Sequence, residues 1–209
     1  MTDYDDARAR LTDQLTRRER ISESTAAAIG AVPRHEFVPE SRRGEAYADR
    51  PLPIGDDQTI SAPHMVAIMI DLLDAEEGDR VLEIGTGCGY HAAVTSEVVD
   101  PENVYSVEFG EKLAERARET LERVGYGEVS IRQGDGREGW PEHAPYDAAY
   151  FTCAVPEIPD AVVEQVRPGG TVLAPVGDWS QKLIEARVGE RGIESRERRG
   201  AVRFVSIRG

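Results

Sequence analysis

The sequence predicts an α/β protein built on a doubly wound, mostly parallel sheet, and two observations carry that expectation. From residue 79 onward strand-like and helix-like segments alternate, and the first strand of the series runs into a glycine-rich turn, Gly85-Thr86-Gly87-Cys88-Gly89. Strand–helix units joined by right-handed crossovers make a doubly wound sheet that binds ligands at the carboxyl ends of its strands. The 209 residues are enough for one domain with a substantial core. We expect a single domain over 1–209, with an N-terminal helical cap over 1–78 and a cofactor-binding core over 79–209.

Taken in order, Leu11, Leu15 and Arg18 give a weakly amphipathic opening helix. Ser22 is placed to cap a helix through Ala26, Ala27, Ala28 and Ile29, which Gly30 and Pro33 close. Between Val32 and Gly55 four prolines (Pro33, Pro39, Pro51, Pro53) interrupt any period, so this reads as a long irregular connection of the functional kind. Thr59-Ile60-Ser61-Ala62-Pro63-His64 leads into an apolar helix through Met65, Ile68, Met69, Leu72 and Leu73. Arg80 to Ile84 is a strand, residues 90–99 a helix, and Val104 to Glu108 a second strand. Glu111 to Val124 is a helix with Leu113, Ala117, Leu121 and Val124 on one face, ended by Gly125. Val129 to Arg132, Asp147 to Phe151 and Thr171 to Val176 are further strands, and Leu183 to Val188 with Val202 to Ile207 read as a closing antiparallel pair.

Charge narrows the partners. Thirty-nine acidic residues against 25 basic ones leave a net charge of −14, and only Lys112 and Lys182 among the basic residues are lysines. Such a surface suits a salty cytoplasm, where screening offsets self-repulsion, although an ordinary acidic protein of an arginine-rich genome has the same composition. It repels a phosphate backbone, so no nucleic-acid partner is expected. The apolar run Met65 to Ile70 stops at Asp71, too short to span a bilayer, and the acidic start Met1-Thr2-Asp3-Tyr4-Asp5-Asp6 is no secretory leader. The expectation is a cytoplasmic protein with no membrane partner. Cys88 and Cys153 stand far apart and His35, His64, His91 and His143 are scattered, which suggests neither a disulfide framework nor a metal site.

The glycine turn lets the backbone approach a ligand, with a helix start directly behind it, and Glu108 at the end of the next strand can hold ribose hydroxyls. Together they indicate a nucleoside-containing cofactor; a turn that merely needs glycines is the bland reading. A dinucleotide pattern counted from Gly87 fits loosely through Ala92, which leaves a dehydrogenase open. Glu83, the acid ahead of the loop, favours a cofactor bearing an ammonium and a sulfonium over a pyrophosphate. The E-x-G-x-G-x-G pattern resembles the first motif of S-adenosylmethionine-dependent methyltransferases, and Gly134-Asp135-Gly136 resembles the segment of those enzymes that contacts the adenine.

Longer stretches resemble one family, the protein-L-isoaspartate (D-aspartate) O-methyltransferases. They are Val32-Pro33-Arg34-His35-Glu36-Phe37-Val38-Pro39, Tyr47-Ala48-Asp49-Arg50-Pro51-Leu52-Pro53-Ile54-Gly55 and Gln58-Thr59-Ile60-Ser61-Ala62-Pro63-His64-Met65, with Arg167-Pro168-Gly169-Gly170 and Val202-Arg203-Phe204-Val205 later. The resemblance implies a Rossmann-like class I methyltransferase that esterifies the free α-carboxylate of isoaspartyl residues in damaged proteins, whose ester then cyclises to a succinimide. It implies S-adenosyl-L-methionine as cofactor, isoaspartyl proteins and peptides as partners, and a monomer. Ser61 matches the family's active-site serine; Glu83, Gly85, Thr86, Gly87, Gly89, Glu108, Asp135 and Gly136 match its cofactor positions; and Thr59, Ile54, His64 and Val176 are the expected substrate contacts. An isoaspartyl carboxylate is already ionised at neutral pH, so the site must align reactants rather than remove a proton. Read without the resemblance, Ser61 is more simply an N-cap for the helix behind it, and the resemblance reverses that preference. Asp56-Asp57 depart from the family's usual residues and place two carboxylates beside an anionic substrate. Another methyltransferase of the same fold, acting on a small molecule or RNA, and a silent cofactor-binding module remain the competing readings.

Overall fold

The computed structural model describes residues 4–209. Its centre is a seven-stranded sheet in the order β5-β4-β3-β6-β7-β8-β9. The members are β3 (Val81–Ile84), β4 (Val104–Glu108), β5 (Ser130–Gln133), β6 (Tyr146–Phe151), β7 (Val166–Val176), β8 (Gln181–Gly189) and β9 (Gly192–Val202). Strands β3 to β7 pair in parallel, and β8 and β9 add on antiparallel. Strand β3 is buried along its whole length, as a central parallel strand covered on both faces must be. Its neighbours are β4 on one side and β6 on the other, so the order reverses beside it. That reversal opens the crevice in which such sheets bind ligands.

Helices α1 (Tyr4–Glu19), α2 (Glu23–Ala31), α3 (Pro63–Leu73), α4 (Tyr90–Val99) and α5 (Glu111–Arg123) contribute to one apolar cluster, which also takes in Val81, Val104 and Leu173 from the sheet. The short helix α6 (Asp160–Val163) covers the opposite face, over Leu82, Ile84, Ala149 and Phe151. Helix α5 shows how sequence directs this: Leu113, Ala117 and Leu121 recur at helical spacing and are buried among charged neighbours. The Ser22 hydroxyl accepts from the Thr25 N–H at 3.1 Å and caps α2 as its residue type predicts. Among the described residues no helix is long and apolar enough to cross a membrane.

Three segments differ from expectation. The connection after α2 is not irregular throughout. It holds 3₁₀ turns at Arg34–Phe37 and Glu40–Glu45, then a two-stranded hairpin of β1 (Leu52–Gly55) and β2 (Gln58–Ile60). Pro51 and Pro53 hid β1, yet a two-stranded ribbon has free edges where a missing N–H costs little. Asp56 and Asp57 form its turn with φ of 52° and 56°, a left-handed pair that short polar side chains tolerate. At the C-terminus the last strand is Gly192–Val202, not Val202–Ile207. Its exposed, charged residues concealed it, because an edge strand with little burial shows no apolar alternation. Residues beyond it return to the sheet through a single bridge, Ala154 to Ser206.

Candidate active site

Strand β3 delivers the chain into the glycine turn, where Gly85, Gly87 and Gly89 take φ of 99°, 57° and 88°. At Gly85 the demand is twofold: a left-handed backbone and a Cβ position already filled by the Thr152 hydroxyl. That hydroxyl donates to the Gly85 carbonyl, which ties the turn to the end of β6. Glu108, at the end of β4, accepts from the Gly87 N–H at 2.9 Å with one oxygen and from the Gly110 N–H at 2.9 Å with the other. The carboxylate therefore stiffens the loop as well as facing the hollow it encloses.

That hollow has about 740 Å³ of space open to solvent. The turn from Gly85 to Cys88 forms its floor, and Glu108, Phe109 and Gly136 one wall. The β2 segment through Ser61 and the C-terminal residues Val205 to Arg208 form the other. Thr59, Ser61, Thr152 and Val205 also border a second hollow, a groove that runs past His64, Met65 and Arg203. Ser61 thus stands at the junction of two spaces. The residue at the N-cap of helix α3 is Ala62, which makes no side-chain cap, and the hydroxyl of the half-buried Ser61 makes no hydrogen bond to any described residue. The capping explanation for Ser61 fails on this geometry.

Of the residues singled out from sequence, the structure brings together Ser61, Thr59, Gly85, Thr86, Gly87, Glu108 and Gly136 around the main hollow. His64 lines the groove instead, its Nδ1 at 2.8 Å from Asp49, whose carboxylate also accepts the His64 N–H at 3.0 Å. Ile54 is buried with its tip behind Gly87. Gly89 caps α4 against Leu121, and Asp135 turns toward Arg137 with its acidity strengthened by that guanidinium. Val176 borders a separate hollow with Ile184, Arg196 and Arg198.

Glu83 is the main correction. It is fully buried beneath the loop and does not face the hollow. Register explains this: Glu83 on β3 lies beside Ser106 on β4 and Tyr150 on β6. Ser106 meets one carboxyl oxygen at 2.5 Å and the Tyr150 hydroxyl donates to the other at 2.9 Å, while Ser106 in turn reaches Thr86 at 2.6 Å. Burial pushes Glu83 up to about 8, and the Ser106 and Tyr150 hydroxyls occupy its two oxygens. A protonated Glu83 can donate to Ser106, which then donates to Thr86 and holds the turn from below.

Sequence reading missed Thr152, the tail from Val205 to Arg208, and His91. No local pattern announces the first two, which reach the hollow only through tertiary packing. His91 is almost fully buried on α4, packs against Tyr150 with ring centres 4.5 Å apart and planes tilted by 36°, and lines the hollow with both ring nitrogens unpartnered among the described residues. Burial lowers its pKa to about 3 and keeps the ring neutral. Cys88 also lines the hollow, but burial pushes its thiol up to about 11, which excludes a resting thiolate nucleophile. Among the described residues no cluster of His, Cys, Asp or Glu could hold a metal ion.

These residues fit an adenosine-bearing sulfonium. The hollow offers a carboxylate for a ribose diol, a turn whose Gly85 and Gly87 expose backbone to the ligand, and unpartnered buried polar atoms on His91 and Tyr90. A pyrophosphate would find no cationic partner among the turn residues themselves. Fold and site together define a class I, S-adenosylmethionine-dependent methyltransferase.

Comparison with known proteins narrows the class. The sequence profile of the protein-L-isoaspartate (D-aspartate) O-methyltransferase family matches residues 6–209. The chain is 52% identical over 208 residues to protein-L-isoaspartate O-methyltransferase 2 of Archaeoglobus fulgidus, covering 99% of this chain and 95% of that one. It is 48% identical to the Methanopyrus kandleri protein of the same name, over 97% and 92% of the two chains. A solved protein-L-isoaspartate O-methyltransferase superposes with a TM-score of 0.89 at 32% identity, over 97% of this chain and 66% of that longer one. A Plasmodium falciparum chain assigned the same activity, in complex with S-adenosyl-L-homocysteine, gives 0.83 at 25% identity over 96% and 98%. The chain belongs to the protein-L-isoaspartate (D-aspartate) O-methyltransferase family. Its activity is S-adenosylmethionine-dependent methylation of isoaspartyl residues in proteins, the first step of their repair.

Proposed function

We propose that within this activity Ser61, with Thr59 beside it, receives the isoaspartyl α-carboxylate where the groove meets the main hollow. The observation that carries the assignment is the free hydroxyl of Ser61 at that junction. S-adenosylmethionine, when bound, supplies an electrophilic methyl group. Ser61 can donate to one carboxylate oxygen and leave the other aimed at that methyl, which is alignment rather than proton removal. Glu108 faces the ribose, Gly85 to Gly87 lie along the cofactor, and Gly136, packed so closely on Ile84 that a Cβ would strike it, lines the wall beside the adenine. His64, held by Asp49, lines the groove in which the peptide lies.

Residues 1–78 act on this reading as the acceptor-side cap of a single-domain monomer, since they contribute Thr59, Ser61 and His64 while the core contributes the cofactor floor. The −14 charge favours a cytoplasmic, high-salt setting without nucleic-acid or membrane partners. Equal thermal midpoints at low and molar salt would count against that setting.

Ser61→Ala is the direct test. S-adenosylhomocysteine binding by calorimetry should be unchanged. Methyl transfer to an isoaspartyl peptide should fall by about ten- to a hundredfold, with no transfer to the matched aspartyl peptide in either protein. Full activity of the alanine variant would remove Ser61 from the site.

A further inference from the structure

The arginines of this chain are not paired evenly. Those of α1, α5 and the 34–50 connection mostly meet carboxylates, as do Arg132, Arg137, Arg167, Arg187 and Arg199. Arg196, Arg198 and Arg203, in the last strand and just beyond it, make no hydrogen bond or ion pair with any described residue. In a chain where acids exceed bases by 14 charges, a guanidinium left unpaired on an accessible surface stands out. Arg203 is exposed and lines the groove that shares Thr59, Ser61 and Thr152 with the cofactor hollow, yet it does not line that hollow itself.

The other charged groups at the groove are His64 and, behind it, Asp49, which is occupied by the His64 ring and backbone N–H. Asp56, on the nearby hairpin turn, pairs with Arg116, so its charge is largely balanced. Among the residues that line the groove, Arg203 therefore carries the fixed positive charge, and no carboxylate lines the groove beside it. This rests on the role given above to Ser61. A guanidinium clamped on the reacting carboxylate would withdraw charge from the nucleophile and obstruct its approach to the methyl group. A cation set to one side of Ser61 avoids this and is available to a different carboxylate on the same peptide.

We propose that Arg203 is a specificity-determining residue that reads an acidic side chain flanking the isoaspartate, so that acidic segments are the preferred substrate class. Arg196 and Arg198, around the neighbouring hollow with Val176, extend the same unpaired basic character along the segment. An exposed ion pair of this kind is weak and salt-dependent, worth roughly a two- to fivefold preference at about 0.1 M salt.

The test measures KM and kcat for isoaspartyl peptides whose flanking residues are Glu, Gln or Lys, with wild type, Arg203→Gln and Arg191→Gln. Arg191 carries the same charge change in the β8–β9 turn, at the far end of the hairpin from the groove. Support is a KM for the Glu peptide roughly two- to fivefold below that for Gln, with kcat unchanged. Arg203→Gln should erase the difference, Arg191→Gln should keep it, and molar salt should compress it. Equal KM values in wild type, or a preference that survives Arg203→Gln, would overturn the inference while leaving the activity intact. Absence of transfer to every isoaspartyl peptide would overturn the role of the site itself and this inference with it.

Discussion

The floor and the acceptor wall of the same hollow are built in opposite ways. The floor comes from one strand–turn–helix unit and its two neighbours in the sheet. Glycine φ angles, the Glu108 bridge and the Glu83 network below fix its turn and strand ends, and the polar atoms it leaves free are the buried ones of Tyr90 and His91. The wall is assembled from the β2 segment, Thr152 and the C-terminal tail, which are far apart in sequence, and among the described residues its Thr59 and Ser61 hydroxyls and the Arg203 guanidinium are without partners. A cofactor of fixed shape is served by a preorganised floor. A protein substrate that varies around one common group is served by a wall whose polar atoms are still unspent.

The contrast can be broken most forcefully at Gly85. Gly85→Ala forces a side chain into a left-handed backbone and onto the Thr152 hydroxyl, so stability should fall by about 2–4 kcal/mol, with cofactor binding lost. A melting curve and S-adenosylhomocysteine calorimetry check both. Glu108→Gln keeps the shape but sets an amide N–H₂ against a backbone N–H and removes the charge; cofactor affinity should drop by about tenfold or more.

The buried network below the floor predicts a pH signature. Burial raises Glu83 from 4.5 to about 8 and lowers His91 from 6.5 to about 3. Between about pH 4.5 and 6.5 the folded chain holds a proton on Glu83 that the unfolded chain lacks, while the unfolded chain holds one on His91, and the two slopes oppose each other. Between about pH 6.5 and 8 Glu83 dominates, and above that the buried thiols of Cys88 and Cys153, raised from 9.0 to about 11 and about 12, lower stability in the same sense. The folded state then binds the extra proton, so stability falls toward pH 8 by up to about 1.4 kcal/mol per pH unit. Glu83→Gln should abolish that fall and leave stability level between about pH 6.5 and 8. Thermal midpoints from pH 5 to 9 decide it, and superimposable profiles would refute the assignment.

The smallest effect belongs to the wall. Arg116→Gln removes an exposed ion pair to Asp56 and should change stability by less than about 0.5 kcal/mol. A larger loss would mean that the hairpin turn is as tightly determined as the floor.

Legibility in the sequence follows the same division. The glycine turn, Glu108 and the amphipathic α5 were readable because each is a local pattern: a backbone demand, a strand-end acid, a helical period. Ser61 was readable as a position but not as a role, since a serine ahead of a helix is also an N-cap, and only the free hydroxyl at the junction separates the two. Glu83 was readable as a motif acid and misassigned, because which face of β3 it occupies and what lies beside it depend on β4 and β6.

The sequence by itself determined the alternating strand and helix units, the parallel sheet they imply, and the turn that receives the cofactor, since periodicity and glycine placement act over a few residues. Only the tertiary structure decided which polar groups are used up and which remain free. Burial turned Glu83 from a surface charge into a hydrogen-bonded strut. Packing of segments nearly 150 residues apart placed Ser61 and Arg203 at one groove, a relation that no local spacing encodes.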